Sequence, residues 1–204
     1  ANGTGTAASF STPYGITADG TNLYVADNAN FLIRQIVIST GVVTTVAGTG
    51  SSGSANGTGT SASFNSPRAI TTDGTNLYVG DGSNNLVRKI VISTGVVTTL
   101  AGTGSAGSAN GTGTSASFSM PIGITTDGTN LYVASTNNHM IRKISSSPMG
   151  GSIQGTELSL STAVTTFAGS SSGSTDATGT SASFDTPFGI TTDGTNLYVA
   201  DRGN

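Results

Sequence analysis

The 204-residue chain is predicted to be an all-β protein in which one unit of four antiparallel strands is repeated. Two observations predict this fold class. The segment GTNLYV occurs four times, and its tyrosine recurs at Tyr24, Tyr78, Tyr132 and Tyr198, with spacings of 54, 54 and 66 residues. Bursts of β-branched residues recur with the same period, and no window has the 3.6-residue periodicity of a helix.

The repeat divides the chain into units 1–54, 55–108, 109–174 and 175–204, which together form one predicted domain of residues 1–204. The third spacing exceeds the others by 12 residues (66 minus 54), so the third unit carries an insertion near residues 145–161. The fourth unit is truncated about half-way. One period therefore accounts for the whole chain.

Turn residues divide the first unit into four strands. Asp19-Gly20 is a strong signal for a tight turn, and polar residues mark the next two turns. A connection rich in Gly, Ser, Thr and Asn then leads to the second unit. The predicted strands are residues 14–18, 22–26, 31–38 and 42–47.

Repeated antiparallel quartets are typical of the blades of a β-propeller. A β-solenoid has shorter coils, usually about 20–30 residues, and a sandwich does not need one quartet repeated along the chain. We therefore predict a β-propeller of four-stranded antiparallel blades, with about three and a half blades present in this chain.

The unit F-x-x-P-x-G-I-T-x-D-G-T-N-L-Y-V-A-D-x-x-N-x-x-I-R-x-I, followed by T-G-V-V-T-T-x-A-G, resembles the NHL repeat, especially the bacterial variety with long AGTG…GTGTSASF connections. The resemblance covers all four units. It implies a propeller, usually of six blades, and relatives that serve as protein-interaction modules, extracellular scaffolds, RNA binders or, in a few lineages, metal-dependent lyases or lactonases. It does not choose among these roles, because function resides in sites carried by a fold.

Two features depart from the repeat pattern. Ser135 stands in the third unit where the other units have Asp27, Asp81 and Asp201. The fourth unit lacks its third and fourth strands.

Composition argues against several classes of function. Seven Lys and Arg against ten Asp and Glu give a net charge of −3, whereas nucleic-acid binding needs a dense basic surface. No apolar run approaches the 18 residues of a membrane-spanning helix, and there is no cysteine. We therefore expect neither a nucleic-acid partner nor membrane insertion.

The repeated aspartates and arginines are interpreted as structural. The Asp-x-x-Asn turns could suggest calcium, but each offers two or three ligands where calcium takes six to eight. We expect these aspartates, and those of the D-G-T-N turns, to accept hydrogen bonds from nearby backbone amides. Arg34, Arg88 and Arg142 could form a stripe for a polyanion; we favour pairing of each with a nearby turn aspartate, with its stem on apolar neighbours.

No residue is predicted to be catalytic. His139 is the only histidine and Glu157 the only glutamate, whereas a catalytic metal centre needs three protein ligands and acid–base catalysis needs a tuned pair. His139 is expected in an exposed turn. We predict no metal and no cofactor.

The differences between units fall around the proline that precedes the first strand and in the turn between the second and third strands. In an antiparallel blade these segments lie at the same end, around the central channel. Diversification of a contact surface and neutral drift of exposed turns fit this variation equally well. The candidate contact surface comprises Tyr14, Asn65, Arg68, Met120, Ile122, His139, Asp185 and Phe188.

Two functions remain open. The first is a non-catalytic scaffold or assembly module, resembling an adhesin or filament protein, outside the cell or on the surface of a bacterium. It would bind a protein partner, further copies of itself or a glycan. The alternative is a ligand-binding or lyase/lactonase-type propeller, metal-dependent if enzymatic, with its ligand near Tyr14, Arg68 and Phe188.

Two further expectations concern glycosylation and ring closure. Sequons at Asn2, Asn56 and Asn110 match the N-glycosylation pattern, but the repeat duplicates them, so they count as one weak signal. Residues 196–200 are predicted to form an open sheet edge, so the chain cannot close a ring alone. It is either a fragment of a longer polypeptide, which we favour, or a subunit that joins others through its ends.

Overall fold

The chain forms four antiparallel sheets in a computed structural model that describes residues 1–147 and 161–204. Three sheets have five strands and the fourth has two. The sheets are the blades of a propeller, so the predicted fold class is confirmed. Most of the insertion predicted near residues 145–161 falls in 148–160, outside the described residues.

The strands follow the repeat. The first blade contains β1 (Gly3–Thr4), β2 (Pro13–Ala18), β3 (Asn22–Asp27), β4 (Leu32–Val37) and β5 (Val42–Ala47). The second contains β6 (Gly57–Thr58), β7 (Pro67–Thr72), β8 (Asn76–Asp81), β9 (Leu86–Val91) and β10 (Val96–Ala101). The third contains β11 (Gly111–Thr112), β12 (Pro121–Thr126), β13 (Asn130–Ser135), β14 (Met140–Ser147) and β15 (Ser161–Ala168). The fourth contains β16 (Pro187–Thr192) and β17 (Leu197–Asp201).

The helical content of the described residues is limited to single 3-10 turns, and none of their helices is long and apolar enough to cross a membrane. These turns precede each first strand or join the second and third strands. They are Gly5–Ala7, Asn28–Asn30, Gly59–Ser61, Gly82–Asn84, Gly113–Ser115, Thr136–Asn138 and Gly179–Ser181.

The predicted strands of the first unit agree with the structure to within one residue at each end, with one informative difference. The third strand begins at Leu32 rather than at position 31. Phe31 has a left-handed φ of 55° and closes the preceding 3-10 turn, so it cannot extend the strand.

A short outer strand was missed by the sequence prediction. Gly3 and Thr4 pair with Val43 and Val42, so the segment before each first strand runs along the outer edge of its own blade. The same pairing recurs in the second and third blades. Two residues of sequence Gly-Thr are too short and too weakly β-forming for a pattern to reveal them.

The first strands of the blades (β2, β7, β12 and β16) lie side by side around the channel. Their close approach depends on glycine: a Cβ added to Gly123 would overlap the carbonyl oxygen of Phe188 in the next blade. Gly123 pairs with Ala134 across the strands, whereas the second blade reverses this pair to Ala69 and Gly80. One residue of each pair therefore remains without a side chain.

Apolar layers between neighbouring blades form the core. Phe64 and Phe118, from the SF pairs, are completely buried and anchor the first and second layers. A smaller cluster around Tyr132 joins the third and fourth blades. These layers fix the blades relative to the channel that they surround.

Substituting Gly123 by alanine is expected to lower the free energy of unfolding by about 1–3 kcal/mol, because the new methyl group overlaps backbone that cannot move freely. Gly189→Ala at the same blade position is the matched control, since its Cβ would meet only Ala200 at 3.6 Å. Urea unfolding of both variants is the measurement. Equal stability of the two would contradict the close approach of β12 and β16.

Candidate functional site

The aspartate at the end of the second strand lies at the centre of a buried network. In the second blade, the Arg88 Nη1 and Asp81 Oδ2 atoms are 3.0 Å apart, and neither side chain is exposed. Asp81 also accepts hydrogen bonds from the Asn65 amide (2.7 Å) and from Asn84 Nδ2 (2.8 Å). The first blade repeats the ion pair at 2.9 Å. The predicted pairing of arginine with a turn aspartate is confirmed in these two blades and is wrong for Arg142 in the third, because Ser135 replaces the aspartate there and none of the described carboxylates lies within ion-pair distance.

The bonding of these turn aspartates was only partly predicted. The amide that donates to Asp81 belongs to Asn65, 16 residues earlier in the chain, not to the turn itself. The aspartate therefore joins the segment before the first strand to the end of the second strand.

The buried arginine also holds the connection that precedes its blade. Arg88 donates to the carbonyl oxygens of Ser63 (3.1 Å) and Ala55 (3.0 Å) and to Asn56 Oδ1 (2.9 Å). Its guanidinium carbon lies 5.4 Å from the centre of the Phe64 ring. The equivalent sequon asparagines Asn2 and Asn110 accept the same bond at 2.8 and 2.9 Å. All three sequon asparagines are exposed while their side-chain oxygens serve this structural role.

The D-G-T-N turns behave as predicted. Asp19 Oδ1 accepts from the amides of Thr21 (2.8 Å) and Asn22 (2.7 Å), and the Tyr24 hydroxyl donates to Oδ2 at 2.9 Å. The amide bond from Asn22 is the main reason that the pKa of Asp19 falls to about 2. Burial, reinforced by the bond to Asp19, raises the pKa of Tyr24 to about 12.

The channel mouth brings together one residue from the first strand of each blade. Tyr14, Arg68, Ile122 and Phe188 line a cleft of about 220 Å³. The Tyr14 and Phe188 ring centres are 6.4 Å apart, and the Arg68 guanidinium carbon lies 5.1 Å from the Tyr14 ring centre. Ile122 is 7% exposed and forms a wall of the cleft. We call Tyr14, Arg68, Phe188 and Arg202 the channel-mouth cluster.

Arg202 is the member of this cluster that sequence reasoning did not single out. Its side chain is exposed, and its guanidinium carbon lies 5.5 Å from the Phe188 ring centre. Arg202 therefore places its guanidinium over the Phe188 ring, as Arg68 does over the Tyr14 ring. The signal available in the sequence was its place in the variable turn between the second and third strands.

The other four predicted contact residues are partly buried and do not line the cleft, and three of them, Met120, His139 and Asp185, lie at blade junctions. The Met120 amide donates to Asn85 Oδ1 of the preceding blade at 3.0 Å. The Thr186 amide donates in the same way to His139 Nδ1 at 3.2 Å, and Asp185 Oδ1 lies 3.6 Å from that nitrogen. Asn65 makes the amide bond to Asp81. His139 is therefore in a turn, as predicted, but the expected exposure is wrong, since its side chain is partly buried against the next blade.

A second cleft, of about 540 Å³, lies between the second and third blades on the side of the D-G-T-N turns. Tyr78, Lys89 and Asn130 contribute to its lining. Its Asp73 carboxylate already accepts from the Tyr78 hydroxyl at 2.8 Å. Within residues 1–147 and 161–204, no group of three or more His, Asp or Glu side chains is placed to hold a metal ion.

Comparison with known proteins shows that these repeats are similar to NHL repeats. NHL repeat-containing protein 2 of Bos taurus is 32% identical over 151 residues, 66% of this chain and 21% of that protein. Protein SUPPRESSOR OF QUENCHING 1, chloroplastic, of Arabidopsis thaliana is 34% identical over 149 residues, 67% of this chain and 14% of that protein. The chain therefore spans about a fifth or less of the length of these relatives. No family model matches the chain.

Solved structures with the same fold include proteins of different roles. A protein of unknown function from Bacteroides thetaiotaomicron has a TM-score of 0.71 and 23% identity, covering 94% of this chain and 45% of its own. An auxiliary nutrient binding protein from the same organism has a TM-score of 0.66 at 18% identity, covering 92% and 45%. A virginiamycin B lyase from Staphylococcus aureus has a TM-score of 0.53 at 18% identity, covering 95% and 50%. At these identities the likeness concerns the fold alone.

Proposed function

This chain belongs to the NHL-repeat β-propeller proteins, and on that premise we propose that it is a non-catalytic binding module whose partner docks on the channel-mouth cluster. The observation that carries the proposal is the grouping of two aromatic rings and two guanidinium groups at one end of the channel. These residues differ from unit to unit, whereas the framework around them repeats.

The chemistry of the cluster suits a protein partner. Tyrosine and arginine are enriched among the residues that contribute most to protein–protein binding, because they combine apolar contact area with fixed polar groups. Tyr14 is 46% exposed, so its ring is available to a partner. We infer a protein segment that presents a carboxylate beside an aromatic or apolar side chain, since guanidinium groups bind carboxylates and the rings bind apolar surface.

Several observations support binding in preference to catalysis. The only histidine, His139, uses Nδ1 as the acceptor for a backbone amide at a blade junction. The arginines of the cluster lie over aromatic rings, and the described residues that line the cleft include no histidine or carboxylate. The composition, with seven Lys and Arg and abundant Gly, Ser and Thr, supports a proposed setting outside the cell or at its surface.

A small-molecule ligand is the second candidate. The cleft between Tyr14, Arg68 and Phe188 favours it, because apolar walls with a few polar groups are the usual lining of a ligand site. The nutrient-binding and lyase neighbours share the propeller that would carry such a site.

Peptide-display selection against the purified chain tests the proposal. We expect enrichment of peptides with Asp or Glu beside an aromatic residue, and at least a tenfold loss of affinity in the Arg68→Ala and Tyr14→Ala variants, because each removes a central contact. Fluorescence anisotropy of a selected labelled peptide gives the affinities.

Lys89→Ala, in the second cleft, is the matched control and should leave the affinity unchanged. Selected peptides that bind the Arg68 and Tyr14 variants normally but lose affinity for the Lys89 variant would place the site in the second cleft and refute the proposal. Selection of no peptide, together with binding of a small metabolite that Arg68→Ala abolishes, would favour the second candidate.

A further inference from the structure

The third blade buries an arginine without the carboxylate that its counterparts have. Arg142, like Arg34 and Arg88, is completely buried, but Ser135 replaces the aspartate. Among the described residues, no carboxylate lies within ion-pair distance of Arg142. Removing a charge from water costs several kcal/mol, and an unpaired buried charge is strongly destabilising. Burial also lowers the pKa of Arg142.

Comparison with the second blade identifies the position that is affected. There, Asp81 Oδ2 accepts from Arg88 Nη1 at 3.0 Å and from Asn84 Nδ2 at 2.8 Å. These two donors therefore define a point that holds negative charge. Arg142 and Asn138 are their counterparts in the third blade.

The remaining contacts of Arg142 are retained in the third blade. Arg142 donates to the carbonyl oxygens of Ser117 (2.9 Å) and Ala109 (3.0 Å) and to Asn110 Oδ1 (2.9 Å). Within residues 1–147 and 161–204, Nη1 has one acceptor, the Ser117 carbonyl oxygen, so one of its two N–H groups has no carboxylate there to bind. The missing interaction is thus confined to the position of the second aspartate oxygen.

Ser135 takes over one of the two functions of the aspartate. Its Oγ accepts from the Ser119 amide at 2.9 Å, as the first aspartate oxygen does in the other blades, and donates to Asn138 Oδ1 at 2.7 Å. Serine has no second oxygen and no negative charge. The backbone bond is kept while the charge is lost.

We propose that the third blade binds a monatomic anion, chloride under ordinary conditions, between Arg142 Nη1 and the side chains of Asn138 and Ser135. The anion takes the position that the second aspartate oxygen has in the first two blades. A half-turn of the Asn138 amide directs Nδ2 to the anion, and the Ser135 hydroxyl, which then no longer donates to Asn138 Oδ1, donates to the anion while its oxygen still accepts from the Ser119 amide. A polyatomic anion such as sulfate is larger than the volume that is left free when a serine side chain replaces an aspartate side chain.

Thermal unfolding at constant ionic strength tests the site, with sodium chloride or bromide replacing sodium gluconate. A ligand that binds only the folded state raises the Tm with its concentration, here by about 3–6 °C for each tenfold increase above the dissociation constant. The Ser135→Asp variant supplies the carboxylate itself. It should have a higher Tm in gluconate and no dependence on halide.

The converse variant, Asp81→Ser, gives the second blade the arrangement of the third and should show a steeper halide dependence than the wild type. In crystals grown with bromide, an anomalous peak beside Arg142 is expected. Equal wild-type Tm values in chloride and gluconate would overturn the proposal, as would a halide effect that persists in Ser135→Asp.

Discussion

Replacing Arg88 by alanine is expected to lower the free energy of unfolding by about 3–5 kcal/mol, a large share of the stability of an ordinary domain. The substitution leaves Asp81 completely buried without its cation. It also removes the donors to the Ser63 and Ala55 carbonyl oxygens, so the connection between the first and second blades loses its attachment.

Urea unfolding at pH 7 measures the effect, with Lys89→Ala as the matched control on the neighbouring, partly exposed residue. We expect the control to change the stability by less than about 0.5 kcal/mol. Burial raises the pKa of Asp81, so without Arg88 this carboxyl takes up a proton readily and the loss of stability should be smaller near pH 4. A loss no greater than that of Lys89→Ala would show that the network contributes little.

Much of the fold could be predicted because it is repeated and local. Tight turns such as Asp19-Gly20 and the alternating apolar residues of each strand depend on neighbours in sequence, and four copies reinforce each pattern. The pairing of Arg34 with Asp27 was predictable for the same reason, since seven residues of an antiparallel hairpin separate the two.

The contacts between blades could not be predicted in the same way. Asn85 and His139 each accept a backbone amide from the next blade, 35 and 47 residues later in the chain. Nothing in the local pattern marks them, since the equivalent Phe31 has no such acceptor. Their left-handed φ angles of 55° and 59° are rare for residues other than glycine and arise from the 3-10 turn that they close.

The channel-mouth cluster could be predicted from the sequence in part. The variable positions Tyr14, Arg68 and Phe188 were found by comparing units, because each directly follows the proline at the start of a first strand. Arg202 comes from a different turn and reaches Phe188 only through the folded geometry. The reversed pair of Ala69 and Gly80 was visible in the sequence, and its meaning required the register of the strands.

Acidification from about pH 4 to pH 2 is expected to destabilise the protein through its D-G-T-N turns. Hydrogen bonds to the carboxylate form lower the pKa of Asp19 to about 2; in Asp127 they do so against the opposing effect of burial, again to about 2. Asp73 and Asp193 shift in the same direction. A group whose pKa is depressed by folding stabilises the folded state above its unfolded pKa of 3.8, and this contribution is lost as the pH falls.

The size of the effect follows from the number of turns. One pKa unit corresponds to about 1.4 kcal/mol, but these carboxylates are partly exposed, so solvent screening reduces the contribution of Asp19 and Asp127 to roughly 2 kcal/mol together. Asp81 acts in the opposite direction, since burial raises its pKa, but it is one group against four. The Tm should therefore fall between about pH 4 and pH 2.

The tyrosines of the same turns predict a matching loss of stability at alkaline pH. Burial and the bond to aspartate raise the pKa of Tyr24 and Tyr78 from 10.0 to about 12, so the protonated hydroxyls stabilise the fold below pH 10 and cease to do so as the pH rises through 12.

Circular dichroism melting curves from pH 2 to pH 12 measure both the acid and the alkaline loss of stability. In Asp19→Asn, whose amide does not titrate, the deficit in Tm at pH 7 should shrink towards pH 2. Tyr24→Phe should mainly reduce the alkaline loss, since the Tyr24 hydroxyl is the least of the causes that lower the pKa of Asp19. A Tm that is flat down to pH 2, or an Asp19→Asn deficit that does not change with pH, would mean that these carboxylates contribute to the turns without their charge.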